Sequence, residues 1–198
     1  MENISLPIVE IFTSVQGEGA HMGRFVTFVR LAGCNLACPW CDTKESWNVN
    51  NVGRITIPAI VHSVTTYQVV ITGGEPTIHE DLANLVHALK KAGHYISIET
   101  NGTNPVPREI DWVTVSPKEQ NGFKIHPLLH VDELKYVVDD HFRLEVIPET
   151  IRAQYSGLIW LQPEGGQMQT SWQRCIKMVE QDERLRVGCQ LHKLMEVR

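Results

Sequence analysis

Three cysteines fall within eight positions, Cys34, Cys38 and Cys41, in the stretch Gly33-Cys34-Asn35-Leu36-Ala37-Cys38-Pro39-Trp40-Cys41-Asp42-Thr43. Read as C-x3-C-x2-C, this loop offers three thiolates. A closed [4Fe-4S] cube takes four cysteine ligands, so three would hold three irons and leave the fourth open to a small molecule. Other chemistries fit parts of the pattern. A structural zinc ion takes four Cys or His ligands, and no second C-x2-C pair follows in the chain. Cys38-Pro39-Trp40-Cys41 could be a dithiol redox pair, which leaves Cys34 unexplained. Inert buried thiols are the third possibility, against which Asn35, Pro39 and Asp42 make the loop polar and broken.

The elements that must position this loop are short apolar runs. The first, Ile8-Val9-Glu10-Ile11-Phe12, leads to the glycine-flanked Gln16-Gly17-Glu18-Gly19, which is either an ordinary turn or a place where backbone approaches a ligand. Phe25-Val26-Thr27-Phe28-Val29-Arg30-Leu31 runs into the cysteine loop. Beyond it come a short helix over 57–64 and the strand Val69-Val70-Ile71-Thr72, ending in Gly73-Gly74-Glu75-Pro76. Pro76 blocks direct helical continuation. The next helix has Glu80 and Asp81 in its first turn, Leu82, Leu85, Val86 and Leu89 at helical spacing, and Gly93 as its stop.

Further strands are Tyr95-Ile96-Ser97-Ile98 before Glu99-Thr100-Asn101-Gly102, Trp112-Val113-Thr114-Val115 before Ser116-Pro117-Lys118, and Leu134-Lys135-Tyr136-Val137-Val138. Leu158-Ile159-Trp160-Leu161 before Gln162-Pro163, a helix over about 170–181, and Leu185 to Cys189 before Gln190 complete the series. Apolar strands separated by helices or loops predict parallel pairing with crossovers, and polar groups at successive strand ends predict one shared mouth. A full eight-unit barrel takes about 250 residues, and the link 101–111, with Pro105 and Pro107, is too short for a full helix. The expectation is an α/β fold: an incomplete, open β/α barrel, or partial TIM barrel, with fewer helices than strands.

At 198 residues and 42% hydrophobic, the chain can bury a real core as one domain spanning 1–198. A net charge of -5, with Lys and Arg scattered, predicts no nucleic-acid partner. No stretch approaches a membrane span and the start, Met1 to Pro7, lacks leader features, so no membrane partner and a cytoplasmic location are expected. In that reducing setting the remaining cysteines, Cys175 and Cys189, read as packing residues.

The cysteine loop after an apolar strand, followed by Gly73-Gly74-Glu75-Pro76 at the next strand end, resembles the signature of the radical S-adenosylmethionine (SAM) enzymes. Gln16-Gly17-Glu18-Gly19, Phe28 to Cys34, Trp40-Cys41-Asp42-Thr43, Glu99 to Thr103, Val115 to Lys118 and Gln190-Leu191-His192-Lys193 narrow it. Together they are similar to the 7-carboxy-7-deazaguanine synthase family over nearly the whole chain.

The resemblance implies a radical SAM core with a reduced helix count, working as a homodimer. It implies a [4Fe-4S] cluster, SAM and Mg2+, and conversion of the pterin 6-carboxy-5,6,7,8-tetrahydropterin to 7-carboxy-7-deazaguanine with loss of ammonia, toward queuosine and related 7-deazapurines. Cleaving SAM requires the low end of the roughly -700 to +450 mV that clusters span, so a reductant such as flavodoxin or ferredoxin is implied. By position, Cys34, Cys38 and Cys41 hold the cluster and Thr43 offers its hydroxyl to Mg2+, where a helix cap is the alternative.

The same resemblance gives substrate binding to Gln16, Gly17, Glu18, Arg30, Gly73 and His192. Gln16 and Glu18 would read the pterin edge and the planar fork of Arg30 its carboxylate; a solvated loop carboxylate and a strand-end charge are the alternatives. Gly74, Glu75, Asn101, Ser116, Lys118 and Gln162 are candidates for SAM. Lys135 is either a SAM contact or a strand-end cation. The chain departs from some relatives in lacking a long insertion between the first two cluster cysteines, which leaves the general superfamily pattern intact. Two other functions share part of these features: a glycyl-radical-enzyme activase, and a non-catalytic iron-sulfur or zinc module.

Overall fold

A computed structural model gives the fold and describes residues 4–127 and 129–197; the first three residues of the chain's start lie outside it. Nine strands form one sheet: β1 (Ser5–Val15), β2 (Phe25–Leu31), β3 (Gly53–Thr56), β4 (Gln68–Gly73), β5 (Tyr95–Thr100), β6 (Trp112–Val115), β7 (Glu133–Val138), β8 (Leu158–Pro163) and β9 (Leu185–Val187). Their spatial order is β3-β1-β2-β4-β5-β6-β7-β8-β9. β1 pairs antiparallel with both β2 and β3, while every pairing from β2 through β9 is parallel. With β3 and β9 as unpaired edges, the barrel is open, as the chain length requires.

Among the described residues five helices serve these strands: α1 (Ile57–Ser63), α2 (Leu82–Lys91), α3 (Glu149–Gln154), α4 (Met168–Val179) and the single turn α5 (Leu191–Leu194). The β5–β6 link holds no helix, and the described residues of the β6–β7 link hold only the 3-10 turn Glu119–Asn121. Glu80 and Asp81 stand just ahead of α2 rather than in its first turn, with Asp81 at the cap position. β9 stops two residues short of Cys189, its last ladder bond running from the Gly188 N–H to the Leu161 carbonyl at 2.8 Å. β3 and α3 carried no clear periodic signal, being short and largely exposed.

Alternation along the parallel strands separates two environments. Leu134, Tyr136 and Val138 of β7 join Ile96, Ile98, Val113 and Val115 in the core, which α2 covers with Leu82, Leu85, Val86 and Leu89. Cys175 of α4 is fully buried in that core, whereas Cys189 is half-buried with its Sγ 3.7 Å from Met22 Sδ. The intervening residues of β7, Glu133 and Lys135, are buried and polar. They face the barrel interior, where the polar strand-end residues collect.

Candidate active site

At the C-terminal ends of β2 and β4, two glycines let backbone pack on backbone. A Cβ on Gly73 would lie 2.1 Å from the Leu31 carbonyl oxygen, and one on Gly74 2.2 Å from that of Gly33. The Gly74 N–H donates to Leu31 and the Glu75 N–H to Gly33, at 3.1 and 2.8 Å. The turn after β4 is thereby fixed against the residues that lead into Cys34.

The mouth above this junction is a cavity of about 290 Å³, and every residue singled out from the sequence lines it except Glu75. Glu75 is fully buried beneath the wall. Its carboxylate accepts from the Thr77 N–H and hydroxyl, the Thr100 hydroxyl and the Asn101 N–H, at 2.6 to 3.0 Å. It therefore ties the end of β4 to the end of β5 rather than facing a ligand. Asn101 extends that tie, its Nδ2 donating to Asn35 in the cysteine loop at 2.9 Å.

Cys34, Cys38 and Cys41 share one wall. The Leu36 N–H points at Cys34 Sγ and the Thr43 N–H at Cys41 Sγ, both at 3.4 Å, while the Cys38 thiol donates to Gln120 at 3.1 Å. Burial pushes the Cys34 and Cys38 thiols up from their ordinary value. Among the described residues no group of three or more His, Cys, Asp or Glu converges on a point that would hold a single ion. Three thiols lining one cavity are the donor chemistry of an iron-sulfur cluster.

Beside the cysteine loop, Lys118 donates to Ser116 Oγ at 2.6 Å and lies 4.8 Å from the centre of the Trp40 ring. Burial pushes its ammonium down. Among the described residues it makes no ion pair, and both amide atoms of buried Gln162 lack a hydrogen-bond partner. A half-buried cation and an unpartnered amide lining one cavity fit a bound molecule that brings a carboxylate and further hydrogen-bonding groups.

The other side of the cavity is already paired. Lys135 Nζ donates to Glu18 at 2.6 Å and to Glu99 at 2.8 Å. Burial pushes the Glu18 carboxyl up, but the Lys135 charge and the hydrogen bonds from Lys135 and Gln190 outweigh it and hold Glu18 below its ordinary value. Glu99, without such a second donor and facing the Glu18 charge, is held above it by burial. Burial would lower Lys135, and the two carboxylates reverse that. Lys135 is therefore an internal counter-ion rather than a loose strand-end cation.

Arg30 donates from Nε to Glu10 at 2.8 Å with its guanidinium 5.9 Å from the Phe12 ring centre, which fixes the plane of its fork. Thr43 occupies a cap position but makes no cap hydrogen bond; its hydroxyl donates to Asp42 at 3.1 Å instead. His192, its imidazole pushed below its ordinary value by burial, lies so close to Gly17 that a Cβ there would sit 2.0 Å from Nδ1. The C-terminal turn is fastened by the Leu191 N–H to the Gly17 carbonyl and by Lys193 and Gln190 to Asp42. Sequence reasoning gave no role to Glu99 or Gln190, although Glu99 shares the inward parity of Asn101 on β5.

The open parallel barrel with three thiols at its mouth defines a radical SAM protein, and residues 28–114 match the model of the Radical SAM superfamily. The chain is 43% identical over 140 residues to the 7-carboxy-7-deazaguanine synthase of Synechocystis, a match covering 68% of this chain and 66% of that protein. It is 38% identical over 196 residues to that of Bacteroides thetaiotaomicron, covering 96% and 98%. The crystal structure of QueE from Escherichia coli superimposes with a TM-score of 0.77 at 31% identity, covering 96% of each chain. The chain belongs to the 7-carboxy-7-deazaguanine synthase family.

Proposed function

We propose that this chain, as one radical SAM domain, converts 6-carboxy-5,6,7,8-tetrahydropterin to 7-carboxy-7-deazaguanine with release of ammonia. The observation that carries this reading is the placement of Cys34, Cys38 and Cys41 on the same 290 Å³ cavity as Glu18, Arg30 and Thr43. A glycyl-radical activase would share the cysteines and the Gly-Gly-Glu-Pro turn but would not call for the paired polar wall. When bound, the cluster and SAM would supply a 5'-deoxyadenosyl radical able to take a hydrogen atom from the substrate, and SAM would be regenerated once a hydrogen atom is given back.

The chain's own residues orient and hold. Cys34, Cys38 and Cys41 hold the cluster. Lys118 takes the SAM carboxylate, and Gly74, Asn101, Ser116 and Gln162 its other polar groups. Gln16 and Glu18 accept from the pterin edge, which requires Glu18 to be charged, as Lys135 ensures. Arg30 meets the pterin carboxylate with the face left by Glu10, while Gly17, Gly73 and His192 bound the pocket. Mg2+ prefers oxygen, keeps waters and is often completed by substrate, and the Thr43 hydroxyl beside Asp42 offers such a partial shell.

A flavodoxin- or ferredoxin-type reductant, a homodimer and a cytoplasmic setting belong to the same reading. Phe25 at the start of β2 and Tyr67 just before the neighbouring β4, 66% and 72% exposed, offer apolar surface for a second copy. No described helix is long and apolar enough to cross a membrane. The deciding experiment is anaerobic incubation of the reconstituted protein with SAM, Mg2+, reductant and the pterin. Mass spectrometry should find 7-carboxy-7-deazaguanine without stoichiometric loss of SAM. Cleavage of SAM with no such product would discard the pterin, and no cleavage at full cluster loading would favour a binding module.

A further inference from the structure

Glu133 opens β7 two residues below Lys135, is 2% exposed, and does not line the cavity. Its Oε2 accepts from the Ala20 N–H and the Trp160 indole, both at 2.8 Å. Its Oε1 accepts from the Thr114 hydroxyl at 2.8 Å and the Trp112 indole at 3.3 Å. All four donors are neutral. Three belong to the neighbouring strands β6 and β8, but the fourth comes from the hairpin between β1 and β2, 113 residues away in sequence.

That hairpin lies across the barrel floor. Gly19, at φ +68°, passes so close that a Cβ would sit 2.4 Å from Glu133 Oε1. His21 follows, its ring 4.7 Å from that of Trp112 and its Nδ1 2.9 Å from Gln68 on β4. Glu18 is only two residues before Ala20, so the reach of the chain ties the height of its carboxylate to the Ala20 anchor.

We propose that Glu133 is a positioning residue: by holding Ala20 it fixes the height at which Gln16 and Glu18 meet the substrate, so that pterin affinity is set from the barrel floor. This rests on the pterin reading above. The two carboxylate oxygens do different jobs. An amide oxygen can replace Oε2 and keep Ala20 and Trp160, while the Thr114 hydroxyl turns to accept from the amide nitrogen and only the long Trp112 contact is lost. Glu133→Gln therefore preserves the anchor and Glu133→Ala removes it. Gly19→Ala displaces the hairpin while leaving the three strand donors on Glu133, and so covers the case in which Glu133→Ala does not fold.

Two measurements on the full chain test this. The first is amide hydrogen exchange over 17–23 compared with β7 and β8 in the apoprotein. The second is pterin KM beside SAM affinity in the reconstituted enzyme. Glu133→Ala and Gly19→Ala should speed exchange in 17–23 selectively and raise pterin KM about tenfold or more, as expected when a buried N–H loses its acceptor. SAM affinity should stay near wild type, and Glu133→Gln should restore both readouts. Unchanged exchange in 17–23, or equal losses for SAM and pterin, would overturn the proposal. Absence of pterin turnover in the wild-type protein would sink the substrate reading instead, and the exchange arm would still decide the anchor.

Discussion

The two walls of the cavity differ in how much of their polarity is spent. Beside the cysteine loop Lys118 rests on a hydroxyl and an aromatic face, and at the end of β8 Gln162 has, among the described residues, no partner for either amide atom. On the other side Glu18, Lys135, Glu99, Gln190 and Arg30 are joined in pairs and chains. A flat, rigid substrate is best met by groups fixed in advance, since little is then lost in ordering them. A wall that awaits a large, flexible cofactor keeps unpaired groups whose partners arrive with it.

The most severe break in this contrast is at the thiols. Cys38→Ala should abolish cluster loading, read as iron and sulfide per chain, while leaving the paired wall and the fold in place. Removing the shared cation strikes the opposite wall. Lys135→Met leaves two carboxylates facing each other in a buried site, and uncompensated buried charge costs about 3–5 kcal/mol. A depressed thermal midpoint that recovers at acidic pH, where Glu99 and then Glu18 protonate, would identify the cause.

Thr43→Ala sits between the walls. It should keep the cluster and lower Mg2+ affinity about tenfold, the scale of about 1.4 kcal/mol for a lost ligand interaction; an unaltered Mg2+ response would remove Thr43 from the metal site. Gln162→Met sharpens the contrast further because its two effects oppose one another. Deleting two unpartnered buried amide atoms should raise stability by about 1 kcal/mol, while SAM affinity falls about fivefold and pterin KM stays put. Equal loss on both ligands would mean that Gln162 serves no single wall.

The smallest effect is on pH dependence. Burial holds His21, His79 and His192 below the usual imidazole value, so their native pKa values lie under those of the unfolded chain. The unfolded state then binds more protons on the acid side of about pH 6.5, and stability falls as pH drops through that range. Substituting His192 by Asn should flatten the fall from the paired wall, and substituting His79, whose ring bonds the Ala32 carbonyl at 2.8 Å, should flatten it from the cysteine side.

Legibility divided along similar lines. The parallel strands announced themselves as apolar runs ending in polar residues, and the β5–β6 link was too short for a helix. The cysteine spacing and strand-end motifs pointed to the residues that share the cavity. Glu75 read as a ligand contact, because a Gly-Gly-Glu-Pro turn does not reveal which way its carboxylate folds; two donors from Thr77 in the turn and two from the end of the next strand decide that. Glu133 and Glu99 were hidden for another reason. Each is the one acid of its strand, and what makes it significant is a partner more than thirty residues away.

The distances along the chain also bear on the order of assembly. The Gly33–Ser46 and Gly74–Leu31 backbone contacts close within the first 74 residues, whereas Ala20 waits for Glu133 and Glu18 waits for Gln190, 172 residues later. Because long loops close late, a growing chain can fix the backbone leading into its cysteine loop well before the substrate wall can form. That junction matures early, whereas the far wall waits for segments more than a hundred residues further along.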